Sequence, residues 1–82
     1  MEEIKMLYDY KPLRTKIAEQ GYTIATLAKK IGIAPNVLRM KLHCWKQFTI
    51  DEIRQIAQVL GLSNYEMEKY FFTYKFQKKN LR

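Results

Sequence analysis

One cysteine, one histidine, one tryptophan and three glycines in 82 residues exclude several kinds of chemistry at once. Cys44 alone forms neither an internal disulfide nor a thiolate zinc cluster, and its neighbour His43 adds a single further ligand, so no metal site is expected. So few glycines leave no phosphate-cradling loop. No serine or cysteine is paired with an oriented base, and no two carboxylates are spaced for acid–base work. An enzyme, a cofactor and a small-molecule substrate are therefore not expected. Long apolar runs are missing too. The opening MEEIKMLYDY carries acids and reads as neither a secretory signal nor a membrane span. With the lone thiol, this makes a reducing, cytoplasmic setting without membrane attachment the expectation.

Negative charge is scarce in one place above all. Lysine and arginine number 15 against 8 aspartates and glutamates, a formal charge of +7. The interval between Glu19 and Asp51 holds no acid but does hold Lys29, Lys30, Arg39, Lys41 and Lys46. An uncompensated positive field of this kind raises the encounter rate with a polyanion. Its plain structural reading is a solvated basic surface.

The chain has the length of one domain, 1–82, with no linker composition, and its 48% hydrophobic content is enough to fold. Apolar spacing predicts helices throughout. Pro12 to Gln20 carries Leu13, Ile17 and Ala18 inward and stops at Gly21. Thr23 caps a second helix with Ile24, Leu27, Ala28 and Ile31 on one stripe, and Gly32 ends it. Pro35 opens a third, with Val37, Leu38 and Leu42 inward and Asn36, Arg39, Met40 and His43 outward. HCWKQF, residues 43 to 48, has no period and reads as a loop, with the Trp45 indole expected to cover the core beneath it. Thr49 and Glu52 form a capping box for a fourth helix, and Ser63 and Glu66 repeat it for a short fifth. From Tyr70 the pattern alternates through Phe72, Tyr74 and Phe76, which predicts an extended segment over 72–82. A lone strand is unstable in water, so it must lie on the domain, pair with residues 4 to 8, or pair with a second copy.

Two short helices joined at Gly32, with the small Ala28 four residues earlier, can cross closely and project the second helix. That is helix-turn-helix geometry over about 23–43. The stretches YDYKPLRTKI, TLAKKIGIAPNVLRMKL, FTIDEIRQIAQVLGL and KYFFTYKFQK together resemble the small phage and prophage Cro-like proteins of Gram-positive bacteria, in the Xre and lambda-repressor class. The resemblance implies an all-α, five-helix, lambda-repressor-like helix-turn-helix domain that binds operator DNA, usually as a dimer. Two features depart from it. Ile24 stands where the class often has a phosphate-contacting Gln, and His43, Cys44, Trp45 and Lys46 replace an Asn-Gly-Lys-like turn.

In that frame the start of the third helix approaches base edges. Asn36 matches adenine, Arg39 matches guanine, Pro35 and Met40 suit a thymine methyl, and His43 lies at the margin. Thr23, Thr26, Lys29, Lys41 and Lys46 are candidates for phosphate contacts, though each is also readable as ordinary surface. Tyr70, Phe72, Tyr74 and Phe76 are candidates for dimerisation. The leading expectation is a dimeric repressor on an inverted-repeat operator in double-stranded DNA. The alternative is a protein-interaction module, an antagonist that sequesters a repressor, which the two departures favour.

Overall fold

A computed structural model describes residues 8–73 and contains five α-helices among them: α1 (Lys11–Glu19), α2 (Ile24–Ile31), α3 (Pro35–Leu42), α4 (Ile50–Leu60) and α5 (Asn64–Phe71). The all-α expectation holds. No described helix is long and apolar enough to cross a membrane.

Helix starts follow from side-chain chemistry. Thr23, Thr49 and Ser63 each accept a hydrogen bond from the backbone N–H three residues on, and Thr26, Glu52 and Glu66 return it. Thr26 was not foreseen as the reciprocal partner, because Thr is a shorter acceptor than the usual Glu or Gln. Pro12 and Pro35 sit in the first turns of α1 and α3, where a missing N–H has no intrahelical use.

Three of the helices, α1, α2 and α4, end by one device. Gly21, Gly32 and Gly61 take left-handed conformations at φ +85°, +79° and +70°. After each, a backbone N–H closes back over the last turn, as Ile33 does onto the Ala28 carbonyl at 3.0 Å. The end of α3 uses the same closure without glycine. Cys44 has φ +66°, its N–H reaches the Lys41 carbonyl at 3.0 Å, and the Trp45 N–H reaches that of Met40 at 2.9 Å.

Leu13, Leu27, Ala28, Leu38 and Ile56 are wholly excluded from water, and Ile17, Ile31, Leu42, Ile53 and Leu60 complete the aliphatic core. Ala18, expected inward, is exposed. An aromatic cluster closes one end: Phe48 meets Tyr10 and Phe71 edge-on at centroid distances of 5.4 and 5.3 Å. Burial there pushes the Tyr10 phenol well above its ordinary value. Phe48 does the covering expected of Trp45, which is 73% exposed. The reason is local: the left-handed turn at Cys44 carries the chain outward just before the indole.

Tyr70 and Phe71 belong to α5, so the alternation read from Tyr70 begins inside a helix. Tyr70 is half-buried against the core, and Phe72 is exposed at the helix end. The Asp9 N–H donates to the Thr73 carbonyl at 2.8 Å, which joins the two ends of the described chain. Tyr74 and Phe76, with the rest of the expected extended segment, lie outside the described residues.

Candidate functional site

Packing against α2 decides which side of α3 is free. Leu38 and Leu42 anchor it, Val37 and Met40 are half-buried, and Pro35, Asn36, Arg39 and His43 are exposed. Near the start of the helix, Arg39 Nη1 lies 3.5 Å from Asn36 Oδ1, so these two side chains share one outward face. Lys29 and Lys30 in the last turn of α2, and Lys46 in the loop between α3 and α4, are exposed as well. Thr23 and Thr26 are exposed, but each hydroxyl accepts the other residue's backbone N–H, and Thr26 Oγ1 also donates to the Thr23 carbonyl at 3.2 Å. Their first role is to hold the start of α2.

Lys41 departs from its expected place. The residue is only 7% exposed, and its ammonium meets Glu52 Oε1 at 2.6 Å. The same carboxylate oxygen accepts the Thr49 N–H at 2.9 Å, so one oxygen clips the end of α3 to the start of α4. Burial raises the Glu52 carboxyl, yet the bonds from Lys41 and Thr49 outweigh it and hold the group below the usual carboxylate range. A cation so enclosed and paired does not offer itself to a phosphate, which removes Lys41 from the set of backbone-contacting candidates.

His43 is more constrained than a polar helix end needs to be. Its ring stacks on Trp45 at 5.1 Å and 28°, and Arg14 Nη2, from α1, lies 3.3 Å from its Nδ1. Beyond this stack the loop leads to Ile50, which is 59% exposed. The exposed side chains of α3 and the loop after it are therefore mixed: the polar pair Asn36 and Arg39, and the aromatic stack of His43 and Trp45. Sequence spacing alone points to neither Arg14 nor the outward pose of Trp45. Arg14 carries no signal because its partner lies 29 positions away. Trp45 carries none either, because the left-handed turn before it is made by Cys44 and not by a glycine.

A small all-helical domain with a cationic and aromatic face around α3 is the class that these features define. Residues 6–74 match the family described as "Protein of unknown function (DUF739)", and the chain belongs to that family. No curated protein matches the sequence. Among solved structures, the chain is similar to the modulator of repression (MOR) of the temperate bacteriophage TP901-1 from Lactococcus lactis. Identity is 34%, the match covers 82% of this chain and 90% of that one, and the TM-score is 0.68.

Proposed function

We propose that this protein is a phage regulator that modulates repression by docking the exposed face of α3 and the loop after it onto a repressor protein. The name of the similar phage protein, a modulator of repression, supports the regulatory role. The observation that carries the protein partner is Trp45, 73% exposed and braced on one side by His43. A large indole exposed to water, with Arg39 and Lys46 nearby in sequence, has the composition of an interface hot spot, where Trp and Arg are enriched. Within α3 itself the pairing of Lys41 with Glu52 leaves Arg39 as the one free cation, so the helix presents less charge to a phosphate backbone than its sequence suggests. The uncompensated charge of Lys29, Lys30, Arg39 and Lys46 favours a partner surface bearing carboxylates.

The test is a mobility-shift titration of this protein into a complex of the phage's own repressor with its operator. Wild type is expected to alter or release the complex. Trp45→Ala is expected to lose about 2 kcal/mol of partner affinity, roughly 30-fold, while its folding stability stays within about 0.5 kcal/mol. Equal activity of the variant overturns the reading.

A second reading, direct operator binding, is favoured by the exposed Asn36 and Arg39 in the acid-free segment. In it a symmetric dimer places two α3 helices about 34 Å apart on one face of the duplex. It predicts that the protein alone prefers its upstream intergenic duplex over scrambled DNA, and that Arg39→Ala weakens binding by about 1–3 kcal/mol and relaxes the preference.

A further inference from the structure

We infer that Arg14 is a positioning residue for the α3 face: acting through His43, it holds Trp45 in its outward pose. The last carbonyls of any helix lack intrahelical partners. In α3, those of Arg39, Met40 and Lys41 are taken by the backbone N–H groups of His43, Trp45 and Cys44, and that of Leu42 by Arg14 Nη2 at 3.4 Å. The same nitrogen carries a second N–H, and 3.3 Å away lies His43 Nδ1. Arginine has donors and no acceptor, so this contact requires a lone pair on Nδ1. One planar, forked side chain from α1 thus ties down both the helix terminus and the ring orientation. The ring in turn is what Trp45 stacks on, at 5.1 Å and 28°. Without that brace the indole, already 73% exposed, is free to leave this pose. Lysine in place of Arg14 keeps the charge but lacks the planar terminal NH2 that fixes the directions of both N–H groups.

The importance of this device rests on the reading of the α3 face as the working surface, but the device itself is measurable in the isolated protein. The chain holds one tryptophan and one histidine, so its indole emission reports Trp45 alone, and a change caused by removing the imidazole reports His43 alone. Emission spectra are compared for wild type, His43→Ala, Arg14→Gln, Arg14→Lys and the double variant Arg14→Gln/His43→Ala. Circular dichroism confirms equal helix content. His43→Ala is expected to shift the Trp45 emission, and Arg14→Gln to shift it most of the way to the same spectrum. Arg14→Lys is expected to fall in between, and the double variant to go no further than His43→Ala alone. The inference is overturned if Arg14→Gln matches wild type, if His43→Ala leaves the emission unchanged, or if the two single effects simply add. Should Arg14→Gln lose helix content, Arg14→Lys carries the same comparison. Failure of the spectra to respond refutes the positioning role whatever the partner. Failure of Trp45→Ala to weaken repressor binding refutes the working face and leaves the spectra untouched.

Discussion

Replacing Glu52 by alanine is expected to damage the fold far more than its place near the surface suggests. Two losses combine. The Thr49 N–H loses its acceptor, half of a capping box, worth about 1 kcal/mol at a helix start. The Lys41 ammonium loses its carboxylate partner while its side chain stays 9% exposed. Breaking a fully buried ion pair costs about 3–5 kcal/mol. Both side chains here keep roughly a tenth of their surface in water, so about 2 kcal/mol is the discounted figure. The total, about 3 kcal/mol, lowers the melting temperature of a domain this size by about 12–24 °C. The assay is thermal unfolding followed by far-ultraviolet circular dichroism, with urea titration alongside. Lys41→Met added to Glu52→Ala is expected to recover much of the loss, because no unpaired cation is then enclosed. A shift below about 4 °C, or a double variant no more stable than Glu52→Ala, refutes this account of the α3–α4 clip.

Gly32→Ala is expected to lower stability by about 1 kcal/mol: an added Cβ meets nothing within 4 Å, so the whole penalty is the left-handed backbone at φ +79°, and denaturant titration reads it. Ala28→Leu, at a fully enclosed position of α2, is expected to destabilise by about 1–3 kcal/mol through overpacking, where an exposed substitution such as Lys29→Leu leaves unfolding within about 0.5 kcal/mol. Acid stability follows from Glu52. Its carboxyl lies lower in the folded chain than in the unfolded one, so its contribution is complete above the unfolded value of about 4.3 and is lost as pH falls through the lower folded value. Melting curves between about pH 7 and about pH 2 are expected to fall across that window, and those of Glu52→Gln to fall less.

Helix positions were readable in advance because their signals are local. Thr49 with Glu52 and Ser63 with Glu66 are capping devices visible within four residues, and Gly32 and Gly61 mark helix ends by backbone chemistry alone. What escaped depends on long-range contacts or on an atypical residue in a familiar role. Lys41 reads as one more exposed cation until the fold brings Glu52, eleven positions on, against it. Cys44 occupies a conformation that elsewhere in this chain belongs to glycine, so the outward turn after α3 carried no glycine to announce it. Size alone therefore points to Trp45 as the residue that covers the core, whereas the smaller Phe48 packs there. The outward face of α3 was half legible, since periodicity sorts Asn36 and Arg39 from Leu38 and Leu42. The stack beyond it was not, because Arg14 reaches His43 only through tertiary packing.

The central claim is that α3 and the loop after it form the surface through which this protein acts. Backbone amide shifts measured by NMR, as the phage's repressor is titrated in, test it most directly. The largest perturbations are expected over Asn36, Arg39, His43, Trp45 and Lys46, with α1 beyond Arg14 and the exposed side of α5 unchanged. Perturbations centred on α5 with Trp45 and Arg39 silent contradict it.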